Sequence, residues 1–75
     1  MILTVELENA EDPEVAVCFD FEGLDLLISK LEALRKSGDH SHLLTPSWAG
    51  DSLTEEKQGD ERYELVHHLR LVRLP

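Results

Sequence analysis

Histidine is the residue type in this sequence most suited to metal chemistry, and there are four histidines among 75 residues. His40 and His42 are two positions apart in a segment that reads as a strand, so their rings should emerge on one face. If the last segment of the chain is the neighbouring strand, His68 reaches the same face. Three imidazoles beside carboxylates could hold Zn²⁺. The spacing lacks the cysteines and the helical His-x-x-x-His of zinc signatures, so histidines on a polar sheet surface are the alternative.

Other catalytic patterns are missing from the sequence. It has no Gly-x-Ser-x-Gly, no phosphate-binding loop and no Gly-x-Gly-x-x-Gly. Glu55 and Glu56 are neighbours in a polar segment, where solvated carboxylates are more common than an acid–base pair. Cys18 has no activating neighbour in the sequence. We therefore expect a protein that is not an enzyme and that needs no cofactor.

One helix organises the elements that would carry these residues. Between positions 24 and 34 the apolar residues recur at the i, i+3, i+4, i+7 spacing of an amphipathic helix. Gly38 can take the left-handed conformation that ends a helix. A helix this short is marginal in water, so another part of the chain must cover its apolar stripe.

Alternation of apolar and polar residues predicts strands at 2–7 and 15–21, a shorter strand at 40–45 and a long one at 62–74. The first pair should form a hairpin whose valines and phenylalanines lie under the helix, with Glu6 on the opposite side. The sequence thus predicts one α+β domain over residues 1–75, in the order ββαββ. It has a small antiparallel sheet of about four strands with the helix on one face.

The long last strand suggests a contact between two copies. One face carries Tyr63, Leu65, His67, Leu69 and Leu71. The other face carries Val66, Val72 and Leu74, and it is more apolar than a solvated sheet requires. With Ala16 and Leu44 it could form a homodimer interface. A non-catalytic, homodimeric structural protein is therefore one alternative function, and a histidine-based metal-binding module is another.

Charge narrows the choice of partner. Sixteen acidic residues face seven Lys and Arg, which gives a net charge of −9. Phosphate backbones repel such a chain, so we expect no nucleic-acid binding. Acidic surfaces instead accelerate encounter with basic proteins. The chain has no signal-peptide pattern, no apolar run of membrane-spanning length and a single cysteine, so we expect a cytoplasmic protein without membrane contact.

The segment 46–59 is rich in Pro, Gly, Ser and acids and has no regular period. A loop this long in so small a domain is usually functional. Trp48 and Leu53 lie inside it, and these apolar residues predict a loop that is held against the sheet.

This loop carries a family resemblance. The run from His42 to Leu53, His-Leu-Leu-Thr-Pro-Ser-Trp-Ala-Gly-Asp-Ser-Leu, with Gln-Gly at 58–59 and a later strand containing His-His-Leu, resembles the immunity protein 32 family. The similarity extends over nearly the whole chain in its layout. Its sharpest positions are His42, Thr45, Pro46, Trp48, Gly50 and Leu53. Where a second glycine is expected beside Gly50 this chain has Ala49, so the loop backbone should differ slightly there.

The resemblance implies a bacterial immunity protein that neutralises a polymorphic toxin by occluding it. Such a protein needs a binding surface and no reactive group, and a basic toxin would suit the acidity of this chain. We expect Trp48 to be the anchor of that surface, with Asp51, Glu55 and Glu56 around it. The alternative is that Trp48 packs over the sheet edge and fixes the loop, and that His42, Thr45 and Pro46 only shape the corner between strand and loop.

Overall fold

The chain folds with one helix against small antiparallel sheets, which confirms the predicted α+β class. A computed structural model describes residues 1–75. Its elements are β1 (Leu3–Glu8), β2 (Val15–Phe19), α1 (Phe21–Lys36), β3 (His40–Leu44), a 3₁₀ helix (Pro46–Trp48), β4 (Tyr63–Val66) and β5 (His68–Val72). Neither the length nor the hydrophobicity of any helix in the structure reaches that of a membrane-spanning segment.

The strands form two sheets where the sequence predicted one. Three strands form a sheet in the order β2-β1-β4, and β3 pairs with β5 in a second sheet. The predicted strand 62–74 is therefore wrong as a single element, because it breaks at His67 into β4 and β5. Thr45 holds this break: its Oγ1 lies 2.7 Å from His67 Nδ1, and its N–H donates to the His67 carbonyl at 3.1 Å.

The break also changes which side chains share a face. Because one residue outside the strands interrupts the alternation, Val66 packs against the core together with Leu69 and Leu71. Val72 and Leu74 are instead 51% and 77% exposed. The apolar dimer face predicted from Val66, Val72 and Leu74 is therefore not a single surface.

The helix is longer than the stripe that predicted it. Asp20 starts it three residues early, because its Oδ1 accepts the Gly23 N–H at 2.8 Å as an N-cap. The helix ends at Lys36, and Gly38 follows with φ of +77°, the left-handed conformation expected from the sequence. Gly23 permits close packing on the N-terminal strand, since a Cβ there would lie 1.8 Å from the Ile2 carbonyl oxygen.

The core is small and centres on β1. Its buried cluster contains Leu3, Val5, Leu43 and Leu53, and helix residues such as Leu27 pack against it. The prediction that the valines and phenylalanines of 15–21 are buried under the helix is wrong, because all four stay at least 40% exposed although the helix lies near β2 as well as β1. The exposed fractions are 60% for Val15, 40% for Val17, 47% for Phe19 and 87% for Phe21.

Candidate functional site

Segment 49–62, which follows the 3₁₀ helix, runs along the edge of β1 at Leu3 and then across the face that carries Glu6. It begins with Leu53, which is 1% exposed and belongs to the core, as predicted for an anchored loop. Thr54 then pairs with β1: its N–H donates to the Leu3 carbonyl at 2.7 Å, and its Oγ1 accepts the Leu3 N–H at 2.9 Å. Through these two hydrogen bonds, Thr54 satisfies the backbone N–H and C=O groups of Leu3 at the start of β1.

Glu6 fixes the far end of the same loop. Its side chain is 1% exposed, although it lies on the face predicted to be polar. One carboxylate oxygen accepts the Gln58 N–H at 2.9 Å, and the other accepts the Gly59 N–H at 2.8 Å. The Thr4 hydroxyl donates at 2.6 Å to the oxygen that also accepts the Gln58 N–H. A buried carboxylate with several donors is stable in its ionised form, so Glu6 acts as a clamp on the loop.

The pKa of Glu6 reflects this environment. Burial raises the pKa, but hydrogen bonds from the Gln58 N–H, the Thr4 hydroxyl and the Gly59 N–H together lower it by more. The net pKa lies below its ordinary value, so the clamp is charged at neutral pH. Sequence reasoning missed this residue, because its two main donors lie more than fifty positions away in the chain.

The residues of the Thr-Pro and Trp-Gly motif build the corner between β3 and this loop. Thr45 is fully buried, and its carbonyl accepts the N–H groups of Trp48 and Gly50, both at 2.9 Å. Pro46 occupies the start of the 3₁₀ helix, where its fixed φ is favourable. A Cβ at Gly50 would lie 2.3 Å from the Leu44 Cβ, so only glycine fits.

The residue before Gly50 is Ala49, at the position where the sequence resemblance implies a glycine. Ala49 has φ of +62° and ψ of +27°, the left-handed conformation in which glycine carries no steric penalty. The corner therefore keeps a glycine-type backbone even though the residue is alanine.

The four residues predicted to bind a partner divide into two groups. Trp48 is 57% exposed, and its ring stacks on His67 with centroids 6.2 Å apart and planes 6° apart. Asp51 and Glu56 are also exposed. Glu55 instead accepts the Ser47 N–H at 2.9 Å and the Ser47 hydroxyl at 2.8 Å, and these bonds lower its pKa. Glu55 therefore supports the 3₁₀ helix from within the loop.

The three candidate metal ligands do converge on the outer face of the β3–β5 sheet. The ring centroid of His42 lies 5.0 Å from that of His40 and 4.8 Å from that of His68. His42 Nδ1 and His68 Nε2 are 2.6 Å apart, so one ring donates a hydrogen bond to the other. His40 Nδ1 lies 2.6 Å from Asp39 Oδ1, and this bond lowers the pKa of Asp39.

The side chains of this cluster, as they stand in the structure, do not have the geometry of a metal site. No set of three or more His, Cys, Asp and Glu side chains in the structure could hold a metal ion. The ring nitrogens that face each other are engaged in the His42–His68 hydrogen bond. Arg70 is the strand partner of His42, which places another cation on this face. Partial desolvation and the charge of the neighbouring His68 ring lower the pKa of His42.

A second exposed surface lies on β2 and α1, and sequence reasoning missed it by placing these residues in the core. We call it the apolar surface. Its members are Val15, Val17 and Phe19 on β2 and Phe21, the half-buried Leu24 and Ile28 on α1. Phe19, Phe21 and Leu24 line one shallow hollow, and Ile28 follows Leu24 on the same side of the helix. Leu31, further along the helix, instead lines a hollow with Leu71 and Val72 of β5. Contiguous exposed apolar residues of this kind mark interaction sites.

Comparison with known proteins gives no relative: no family model, no curated protein and no solved structure matches this chain.

Proposed function

We propose that this protein is a bacterial immunity protein, which binds a basic toxin and covers its active surface. The binding surface we assign contains Trp48 as anchor and Asp51 and Glu56 beside it in the sequence of the same loop. The observation that carries the proposal is a half-exposed tryptophan on a loop that is fixed at both ends. The family resemblance of the loop motif supports the toxin as partner.

The fixed backbone is what suits this loop to binding. Glu6 holds Gln58 and Gly59, and Glu55 holds Ser47, so the segment around Trp48 has little freedom to lose when a partner binds. A preorganised anchor lowers the entropic cost of association. Tryptophan is among the residues most enriched at the energetic centres of protein interfaces.

Charge supports a basic partner. The chain carries a net charge of −9, and Asp51 and Glu56 are exposed. Exposed charges of this kind increase the association rate, and salt screens their effect. Removal of either acid should therefore slow association, whereas removal of Trp48 should speed dissociation.

The test is co-expression of the chain with the products of the genes beside its own, followed by purification through a tag on this chain. We expect one basic product to co-purify, and Trp48→Ala to weaken that complex at least about 30-fold, which corresponds to about 2 kcal/mol at an interface centre. Leu74→Ala is the matched control, because Leu74 is 77% exposed and lies outside the loop. No co-purifying neighbour, or a complex that Trp48→Ala leaves unchanged, would overturn the proposal.

A further inference from the structure

The outer edge of β2 has no strand partner in the chain, because the sheet order β2-β1-β4 leaves β2 at one end. Such an edge presents a row of unpaired backbone groups, and proteins usually protect it with charges, proline or a covering segment. β2 has none of these between Glu14 and Asp20: its sequence is Val-Ala-Val-Cys-Phe. The edge is therefore ready to pair with another strand.

The hydrogen bonds to β1 fix which backbone groups of β2 point outward. The Glu8 N–H donates to the Glu14 carbonyl at 2.9 Å, and the Asp20 N–H donates to the Ile2 carbonyl at 3.2 Å. In an antiparallel ladder the bonded residues alternate, so Ala16 and Cys18 face β1 with their N–H and C=O groups. The N–H and C=O groups of Val15, Val17 and Phe19 therefore point away from β1, at the free edge of the sheet.

The outward groups belong to the same residues whose side chains form part of the apolar surface. Phe21 continues this surface onto the start of α1, where it is 87% exposed, and Ile28 on the helix is 47% exposed. A partner strand on this edge would therefore gain backbone hydrogen bonds and apolar contacts together. That combination is the signature of strand addition.

Surface area indicates how large the missing contact is. The chain exposes 5277 Å², whereas a compact monomer of 8.5 kDa exposes about 4,650 Å². The excess is about 600 Å² per chain, so two copies that bury it would remove about 1,200 Å², the lower limit of a standard specific interface. Only 10 of 75 residues are buried within one chain.

We propose that the edge of β2 binds the same edge of a second copy, antiparallel, with the two-fold axis at Val17. Val17 then faces its own counterpart, and Val15 faces Phe19 of the other copy, so the same apolar residues meet on both sides. Two three-stranded sheets become one continuous sheet, with both helices on one face. Self-complementarity of this kind is what an isologous dimer requires.

The acids at the ends of β2 do not prevent this pairing, although Glu14 and Asp20 of opposite copies come near each other. Each already has a partner within its own chain. Glu14 accepts the Tyr63 hydroxyl at 2.9 Å, and Asp20 caps the helix. Because each copy carries −9, association should still become tighter as salt rises.

A crosslink tests the register directly. With the axis at Val17, Ala16 lies opposite Cys18 of the other copy in a non-bonded pair, whose Cα atoms are about 4.5 Å apart and can be joined by a disulfide. We expect Ala16→Cys to form a covalent dimer under mild oxidation. The double variant Ala16→Cys/Cys18→Ser is the control and should stay uncrosslinked, since its thiols are diagonal and about 7–8 Å apart. Failure of Ala16→Cys to crosslink, or crosslinking of the wild-type chain through Cys18, would overturn this register.

Sedimentation of the purified chain tests the dimer itself. We expect a mass of two chains, at least a tenfold weaker association in Val17→Asp, and tighter association at 500 mM than at 50 mM NaCl. Val72→Asp is the matched control, because Val72 is a strand valine 51% exposed on the other sheet, and it should leave the mass unchanged. A monomer at all concentrations would overturn the dimer and leave the proposed toxin binding intact, since that binding uses the loop and weakens with salt.

Discussion

Two parts of the sheet formed by β2, β1 and β4 differ in a way opposite to their polarity. The polar face, which carries Thr4 and Glu6, is closed by the chain itself, and both residues are buried. The apolar face is buried at Leu3 and Val5 on β1 but stays open on β2, where Val15, Val17 and Phe19 are all at least 40% exposed. A polar face can therefore be covered when a distant segment supplies its hydrogen bonds, and the part of an apolar face at a sheet edge can be left for another molecule.

The largest test of this comparison removes the clamp. Glu6→Ala removes the carboxylate that accepts the N–H groups of Gln58 and Gly59, and each lost hydrogen bond to a charged group costs about 1.5–3 kcal/mol. We expect the free energy of unfolding, measured by urea denaturation, to fall by about 3–5 kcal/mol.

Glu56→Ala is the control for that variant, because Glu56 is an exposed acid in the same loop. It should change the free energy of unfolding by less than about 0.5 kcal/mol. Equal effects of the two substitutions would mean that Glu6 does not hold the loop.

The next test compares one apolar residue from each region. Leu53→Ala removes a side chain that is 1% exposed, so it should cost about 3 kcal/mol through lost burial and the cavity left behind. Phe21→Ala removes a larger side chain that is 87% exposed, and at dilute protein it should cost less than about 0.5 kcal/mol. Chemical denaturation at micromolar protein measures both. A larger loss of unfolding free energy in Phe21→Ala than in Leu53→Ala would contradict this assignment of the core.

Acid should destabilise the protein by protonating Glu6, whose ionised carboxylate holds the loop. The pKa of Glu6 is lowered in the folded protein from 4.5, so the unfolded state binds a proton more readily. Its contribution to stability is thus complete above pH 4.5 and is lost as pH falls through the lower, folded pKa. We expect the melting temperature to drop below about pH 4.5. In Glu6→Gln that acid-induced drop should be smaller, and an identical pH profile would contradict the ionised clamp.

The smallest effect concerns the corner of the loop. Ala49 has φ of +62°, where glycine avoids the steric penalty of a Cβ but loses more entropy on folding. We expect Ala49→Gly to raise the free energy of unfolding by about 0.5 kcal/mol. A loss of stability in thermal denaturation would show that the left-handed backbone is not strained by alanine.

Local patterns were enough to predict much of the fold. The spacing of apolar residues gave the helix, Gly38 gave its end, and alternation gave β1 and β2. Leu53 inside the loop correctly indicated that the loop is held against the sheet. In each case the cause lies within a few residues of the effect.

The remaining features depend on contacts between distant segments. The break at His67 depends on Thr45, and the burial of Glu6 depends on Gln58 and Gly59. Alternation alone cannot tell whether the polar or the apolar side of a strand will be covered. For the site, the sequence pattern of Trp48 fits both a residue packed over the sheet edge and an exposed partner-binding anchor, and Glu55 reads as a free acid although Ser47 engages it.

Amide hydrogen exchange measured across protein concentration tests the central claim, that the polar face of β1 is closed by the chain itself and the edge of β2 by a second copy. Amides of Gln58 and Gly59 bond to Glu6, so they should exchange slowly at every concentration. Amides of Val15, Val17 and Phe19 should exchange rapidly in dilute solution and slowly in concentrated solution. The account is contradicted if the β2 amides exchange rapidly at all concentrations or if the Gln58 and Gly59 amides are unprotected.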